Sequence, residues 1–227
     1  MLNNLNHIAL ILDGNKRWAK KNNHTTLHGY TKGFENIKNI VNFSLSNNLK
    51  YLTIFTLSSE NYNRSTVNII YEIIYDNFSR LFDELIKNNG IQINIFGSRE
   101  NLPKKIIKIF QDIETKSVNN KKLHLNIAFN YGFKEEIKLI LKKIINDKKK
   151  INTENENDIS KLFSLGLQPD PDLLIRTGGY KRLSNFIMYN LTYTEFFFTD
   201  TLWPDFSEME LKSIINEYFK IDRKYGL

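Results

Sequence analysis

The chain has 227 residues, a formal net charge of +7 and a sequence pI of about 9.3. It contains no cysteine, which excludes a disulfide framework and a thiolate metal site and fits a reducing cytosol. No apolar run approaches the length of a signal peptide or a membrane span, so we expect a soluble, cytoplasmic protein with a single domain over residues 1–227. The positive charge suits an anionic ligand, a nucleic acid or an anionic membrane surface without choosing among them.

The first strong pattern is an apolar strand that runs directly into a polar turn. Ile8-Ala-Leu-Ile-Leu12 predicts a buried strand, Asp13-Gly14 a strand-to-helix turn, and the segment from Asn15 the start of a helix. A glycine in such a turn lets a ligand approach the main chain, so an anion such as a diphosphate is a natural ligand. Asp13 then either caps the helix or holds a Mg²⁺ ion that bridges it to phosphate oxygens, and this stretch alone leaves both interpretations open.

Strand and helix patterns alternate along the rest of the chain. Further strands are predicted at 51–57, 91–96, 123–129 and 173–175. Helices are predicted at 33–48, from Ser65 or Thr66 to near Gly90, from about Pro103, at 134–145, and from Ser207 to about Tyr225. The alternation predicts an α/β fold with a central, mostly parallel sheet flanked by helices, and places ligands at the carboxyl ends of the strands.

Three polar clusters follow predicted strands, at 13–18, 58–64 and 176–184, and this shared placement indicates one site. In the third cluster Arg176 and Arg182 flank paired glycines and precede Ser184, which together supply guanidinium groups, accessible backbone and a hydroxyl for a phosphate. Arg176 can instead be a structural ion-pair partner. The acid pair in Pro169-Asp-Pro-Asp172 predicts a rigid turn in preference to a metal site.

Five segments together resemble the cis-prenyltransferase family, which includes the undecaprenyl diphosphate synthases: HIALILDGNKRWAK, LTIFTLSSENYNR, LNIAFNYG, IRTGGYKRLSNF and YTEFFFTDTLWPDF. The resemblance implies an α/β fold with an apolar tunnel, a homodimer and Mg²⁺ as cofactor. It implies condensation of farnesyl diphosphate with successive isopentenyl diphosphates to a long Z-polyprenyl diphosphate, the undecaprenyl carrier of cell-wall assembly. The product then brings peripheral membrane contact, and no nucleic acid is involved.

The resemblance also assigns roles to individual residues. Asp13 and Glu195 are implied to hold Mg²⁺. The allylic diphosphate is implied to lie on Gly14, Asn15, Lys16 and Arg17, with Trp18 on the neighbouring wall, and isopentenyl diphosphate on Arg176, Arg182, Leu183 and Ser184. Ser58, Ser59, Glu60, Asn61, Tyr62 and Arg64 are implied to close over both substrates. Asn61 is implicated in proton removal, but because a neutral amide is a poor base we assign it a positioning role and expect diphosphate to accept the proton.

Two features of the chain keep alternatives open. The apolar stripe from Ile70 to Leu85 predicts plain core packing by itself and a tunnel wall in the light of the resemblance. The aromatic segment from Tyr193 to Phe206 predicts either core or part of a dimer interface.

Among the departures of the chain from the family pattern, two lie shortly beyond Trp18. Thr26 and Tyr30 stand where the family has an arginine and a histidine, with Lys20, Lys21 and His28 as candidate substitutes. The competing functional hypothesis is a non-catalytic subunit of the same fold that binds prenyl diphosphate or supports an active partner. An RNA-binding protein is favoured by net charge alone, without a basic stripe interleaved with aromatic residues.

Overall fold

The computed structural model describes residues 5–61, 66–147 and 151–223. Its centre is a six-stranded sheet in the order β3-β4-β2-β1-β5-β6, with every pairing parallel. The predicted α/β fold with a mostly parallel sheet is therefore confirmed. The strands are β1 His7–Ile11, β2 Tyr51–Ser58, β3 Ile91–Phe96, β4 Leu123–Tyr131, β5 Leu173–Arg176 and β6 Glu195–Phe198.

Helices connect the strands in the described parts of the chain. They are α1 Asn15–Lys21, α2 Thr26–Ser46, α3 Thr66–Ile73, α4 Ser79–Asn89, α5 Lys104–Ser117, α6 Phe133–Asp147, α7 Glu156–Ser160 and α8 Glu208–Tyr218. Short 3₁₀ turns lie at Ser59–Asn61 and Trp203–Asp205. No helix in the described residues has both the length and the apolarity needed to cross a membrane.

Two helix boundaries differ from the sequence prediction by more than two residues. Helix α2 begins at Thr26, before the predicted start at Gly33, because the Thr25 side chain caps it by accepting a hydrogen bond from the backbone N–H of His28. Helix α8 begins after the predicted cap, Ser207, but ends at Tyr218 and not near Tyr225. Beyond it the chain turns so that the Arg223 guanidinium contacts Asp172 at 3.3 Å, a tertiary contact that periodicity does not encode.

The predicted long helix is present with an interruption. Residues Ile74–Phe78 form a π-helical turn between α3 and α4, and Gly90, with φ +66°, follows the end of α4. The proposed cap Ser65 lies outside the described residues.

Successive side chains of each strand point to opposite faces of the sheet, so the core is divided into two clusters. On one face Ile8 and Leu10 of β1 belong to a large cluster covered by α2, α4, α5 and α8. On the other face Ala9 and Ile11 belong to a smaller cluster that includes Phe186. The neighbours of β1 determine where the site lies, since the chain proceeds to β2 on one side and returns as β5 on the other. Such a reversal of strand order opens a crevice at the carboxyl ends of the strands.

Candidate active site

A cleft of about 840 Å³ lies at the carboxyl ends of β1, β2 and β5. All three polar clusters contribute to its walls, as their placement after strands predicted. The predicted site residues that line it are Asp13, Gly14, Asn15, Lys16, Arg17, Ser58, Glu60, Asn61, Arg176, Arg182 and Ser184. Cations outnumber carboxylates in this set, so the cleft suits an anionic ligand.

The Asp13 carboxylate lies between two guanidinium groups. Its Oδ1 is 3.0 Å from Arg17 Nη2, and its Oδ2 is 2.9 Å from Arg176 Nη2. The capping interpretation of Asp13 is wrong, because the N-cap of α1 is Gly14, with φ 125° and no side-chain cap. A Cβ at residue 14 would lie 2.9 Å from the Cα of Leu202, so only glycine fits this turn.

Arg176 forms an ion pair with Asp13 and also lines the cleft. The two roles considered for it from the sequence, structural ion-pair partner and ligand-binding residue, are therefore compatible. Its side chain is only 4 % exposed, and Nη1 donates 2.7 Å to Ser184 Oγ and also to the Arg182 carbonyl. Its Nε is buried and has no hydrogen-bond partner in the described chain. A buried donor of this kind gains most from an anionic acceptor.

The loop after β5 is tied to the loop after β2. Ser184 and Asn185 have φ values of 52° and 62°, a left-handed conformation that non-glycine residues adopt at an energetic cost. In this conformation Ser184 Oγ accepts from Arg176, and Asn185 Nδ2 donates 2.6 Å to Glu60 Oε1. The strained turn therefore positions the hydroxyl and the opposite wall of the cleft together.

An apolar cavity of about 70 Å³ lies against the cleft. Leu12, Asn15, Tyr30 and Thr56 line both spaces. Ile70, Ile73, Ile74 and Phe82 of the long helical segment line the cavity. Ile74 and Phe82 also belong to the main core cluster and Ile70 packs on it, so the apolar stripe contributes to the core and to the cavity wall, while a tunnel wall stays a prediction.

Four predicted site residues within the described parts of the chain do not line the cleft: Trp18, Ser59, Leu183 and Glu195. Trp18 Nε1 donates 2.6 Å to Asp205, away from the cleft, and Leu183 packs against the second core cluster. Ser59 is outside the lining although its neighbours are inside it. Tyr62 and Arg64 lie outside the described residues.

Glu195 is also apart from the cleft, because it lies at the amino-terminal end of its strand and the cleft lies at the carboxyl ends of the strands. It begins β6 in register with Leu173, three residues before Arg176, roughly 10 Å along the strand. The second implied metal ligand is therefore not brought to Asp13 within one chain.

Several residues of the site carry no role in the sequence analysis. Tyr180 and Asn185 line the cleft, and Tyr30 lines both cleft and cavity. Tyr180 lies inside the arginine and glycine motif, and its position between the cationic residues of that motif could have marked it as a site residue. Of the candidate substitutes for the departures, Lys20, Lys21 and His28 are outside the lining, and the ring of His28 stacks on Trp18 at 5.9 Å.

The metal-ligating group of the cleft, the Asp13 carboxylate, suits a hard divalent cation whose other ligands are mainly phosphate oxygens of a bound substrate. No group of three or more histidine, aspartate or glutamate side chains that could hold a metal occurs in the described residues. Asp13 is a single partly exposed carboxylate facing a space large enough for a diphosphate. One carboxylate with phosphate oxygens is a usual arrangement for Mg²⁺, so the residues present fit such an ion once a diphosphate is bound.

An open parallel sheet with a cationic cleft at its point of strand reversal defines an α/β protein that binds phosphorylated ligands. Comparison with known proteins makes the class specific. The family model described as "Putative undecaprenyl diphosphate synthase" matches residues 11–226. The chain therefore belongs to the undecaprenyl diphosphate synthase family and is a cis-prenyltransferase, as the sequence motifs predicted.

Individual relatives agree over nearly the whole chain. An isoprenyl transferase of Aquifex pyrophilus is 40 % identical over 222 residues, covering 97 % of this chain and 95 % of the relative. A tritrans,polycis-undecaprenyl-diphosphate synthase (geranylgeranyl-diphosphate specific) of Pyrobaculum aerophilum is 37 % identical, covering 97 % of this chain and 95 % of its own. The solved lavandulyl diphosphate synthase of Lavandula x intermedia, in complex with dimethylallyl diphosphate, has a TM-score of 0.88 at 33 % identity, with 98 % of each chain covered.

Proposed function

We propose that this cis-prenyltransferase condenses farnesyl diphosphate with successive isopentenyl diphosphates, with Mg²⁺ as cofactor, to give a long Z-polyprenyl diphosphate, the undecaprenyl carrier used in cell-wall assembly. One observation carries the proposal: a cation-lined cleft and an apolar cavity share Leu12, Asn15, Tyr30 and Thr56 as common walls. A prenyl diphosphate is a ligand with one strongly anionic end and one wholly apolar end. The adjoining spaces match those two ends.

The chain's own groups supply most of the chemistry. Lys16 and Arg17 hold the allylic diphosphate and balance the negative charge that accumulates on it as the allylic carbon–oxygen bond breaks. Arg176, Arg182 and Ser184 hold isopentenyl diphosphate so that its double bond faces the allylic carbon. After the new carbon–carbon bond forms, a proton leaves the condensed intermediate, and Asn61 orients that step while diphosphate accepts the proton.

Mg²⁺ enters this scheme through Asp13. When bound, it supplies Lewis-acid assistance to departure of the diphosphate. Asp13 is held in place by Arg17 and Arg176. The same arginines are thus available to phosphate oxygens beside the carboxylate that holds the ion.

The apolar cavity must widen to accept a prenyl chain. Its volume of about 70 Å³ is below the roughly 150 Å³ of an apolar cavity that holds benzene. Each methylene buried there contributes about 0.8 kcal/mol, so growth of the chain itself drives separation of the walls. Product length is then set by how far the described walls yield.

The test is an elongation assay with purified protein, Mg²⁺, radiolabelled isopentenyl diphosphate and four primers: dimethylallyl, geranyl, farnesyl and geranylgeranyl diphosphate. Relatives are named for use of, or complexes with, different allylic diphosphates, so the primer must be compared and not assumed. We expect long Z-products from farnesyl diphosphate, and loss of products in Asp13→Asn but not in the exposed control Asp112→Asn. Absence of elongation by the wild-type chain alone, with activity restored by a second subunit, would favour the non-catalytic alternative.

We also propose that two copies form a homodimer through the exposed side of β6. The segment from Tyr193 to Phe206 divides into two sets: Trp203 and Phe206 are buried core, whereas Tyr193 is 57 % and Phe196 40 % exposed. β6 is the last strand of the sheet. Phe196→Glu is expected to give a monomer in sedimentation velocity, with Met209→Glu, 80 % exposed on α8, as the control. An unchanged dimer in Phe196→Glu would place the interface elsewhere.

We place the enzyme in the cytoplasm, at the inner face of the membrane, held there by its lipid product. The net charge of +7 supports attraction to an anionic lipid surface. Co-flotation with anionic vesicles that rises after elongation is the expected result.

A further inference from the structure

The aromatic ring of Tyr180 lies among three guanidinium groups at the cleft. The ring centroid is 4.2 Å from Arg182 Cζ, 4.7 Å from Arg17 Cζ and 5.7 Å from Arg176 Cζ. These distances are within the range in which a cation is attracted to the negative face of a ring. Tyr180 is 44 % exposed and its hydroxyl forms no hydrogen bond with the rest of the described chain, so its contacts with the arginines are made through the ring.

Three converging cations need compensation before a diphosphate arrives. Asp13 supplies one carboxylate, and it pairs with Arg17 and Arg176 but not with Arg182. Arg182 has no ion pair in the described residues, and its Nε donates to Ser184 Oγ at a long 3.3 Å. The nearby ring is therefore the main contact that keeps Arg182 directed toward the other two arginines.

The backbone before Tyr180 is built to hold the ring in this position. Gly178 and Gly179 have φ values of +84° and +81°, and their N–H groups each donate 2.8 Å, to the carbonyls of Thr201 and Thr199. A Cβ at residue 178 would lie 2.5 Å from Arg17 Nη2, so the turn is pressed against the arginine itself. A turn fixed at both glycines gives Tyr180 little freedom to leave the cluster.

We propose that Tyr180 is a positioning residue that holds Arg17, Arg176 and above all Arg182 in a convergent arrangement for diphosphate recognition. The proposal rests on the proposed function, because it names the residue that organises the same cleft. A pre-arranged cluster binds an anion more tightly than one that must assemble against its own repulsion. The ring acts before chemistry, so its loss should weaken binding and raise KM while leaving kcat little changed.

The experiment measures binding of inorganic pyrophosphate by isothermal titration calorimetry, which needs no elongation. Tyr180→Leu removes the ring, and Tyr180→Phe is the matched control that keeps the ring and removes the unpaired hydroxyl. With Mg²⁺ present throughout, we expect wild type and Tyr180→Phe to bind equally and Tyr180→Leu to bind about tenfold more weakly. The KM for isopentenyl diphosphate should follow the same order.

A double-mutant cycle separates positioning from general structural damage. If the ring acts through Arg182, the effect of Tyr180→Leu should shrink to about threefold or less in an Arg182→Gln background. A purely structural effect would be the same in both backgrounds, and that result would overturn the proposal. Tyr180→Met serves as a second ring-free variant, with thermal unfolding to show that each protein is folded.

The remaining outcomes are distinct from failure of the proposed function. Pyrophosphate binding that depends on the ring in a protein that does not elongate would retain the positioning role and reject the elongation activity. Equal or tighter binding by Tyr180→Leu in an active enzyme would reject the positioning role, because the ring would then be idle or obstructive. Failure of the wild-type protein to bind pyrophosphate would overturn the positioning role as well.

Discussion

Acidification is expected to destabilise this protein through His7, a fully buried residue of β1 outside the active site. Its Nδ1 is 2.6 Å from the Pro169 carbonyl oxygen and its Nε2 is 2.7 Å from Thr53 Oγ1. Because a carbonyl only accepts hydrogen bonds, Nδ1 carries the proton and Nε2 of the neutral ring accepts from the threonine. Burial lowers the pKa of His7 to about 4, against opposing contributions from the Pro169 hydrogen bond and the charge of Asp172.

The sign and size follow from linkage. The His7 ring takes up a proton near pH 6.5 in the unfolded chain but only near pH 4 in the folded chain. The stability that neutral His7 contributes to the folded state is therefore fully present above pH 6.5 and is lost as the pH falls toward 4. A difference of about 2.5 pKa units at 1.36 kcal/mol each gives a loss of about 3 kcal/mol in the free energy of unfolding. That is a large part of the stability of an ordinary domain.

Urea unfolding at a series of pH values between 7 and 4 tests this reasoning. Carboxylates also titrate in this range, so the informative quantity is the difference between wild type and His7→Gln, whose amide stays neutral. We expect the variant to be less stable at pH 7 and to lose about 3 kcal/mol less on acidification. Exposed His24→Gln is the control and should follow wild type. Parallel pH profiles for wild type and His7→Gln would refute the assignment.

Three further substitutions test the site and its support. Asp13→Asn should lower elongation by about a hundredfold or more while inorganic pyrophosphate binding persists, because the two freed guanidinium groups remain; steady-state kinetics and calorimetry check this. Phe82→Ala removes a fully buried ring beside the apolar cavity and should lower the free energy of unfolding by about 3–5 kcal/mol in urea titration. Gly33→Ala would place a Cβ 1.9 Å from Asn15 Oδ1, so kcat/KM should fall, whereas Ala in place of exposed Ser46 should leave it unchanged.

The sheet and the position of the site were predictable from the sequence because both depend on local patterns. Short apolar runs followed at once by polar turns predicted strands β1, β2 and β5, and parallel strands place their carboxyl ends along one edge. The polar clusters after those strands were therefore predicted to meet, and the structure shows that they do.

Partner choice within the site was not predictable, because it depends on residues far apart in the chain. Asp13 faces Arg176, which is 163 positions away, and no local pattern distinguishes this pair from a cap or a metal ligand. Trp18 is similar, since its contact with Asp205 depends on the 3₁₀ turn that follows β6. Glu195 illustrates register: pairing with Leu173 fixes it at the far end of β6, and sequence order alone does not encode that register.

The junction between the cationic cleft and the apolar cavity depends both on local sequence pattern and on contacts between residues far apart in the chain. Asn15 lines both spaces, and its buried Oδ1 has no hydrogen-bond partner in the described chain. It occupies this position because Gly33 of α2 has no side chain to exclude it, and Trp203 Nε1 donates 2.7 Å to the Gly33 carbonyl. A buried acceptor without a partner lowers stability, and an apolar residue at this boundary would avoid that cost. A polar residue is nevertheless expected here, because the proposed ligand would place its charged end on one side of Asn15 and its apolar end on the other. The departure from local packing rules thus falls where the proposed function requires a charged and an apolar environment to meet.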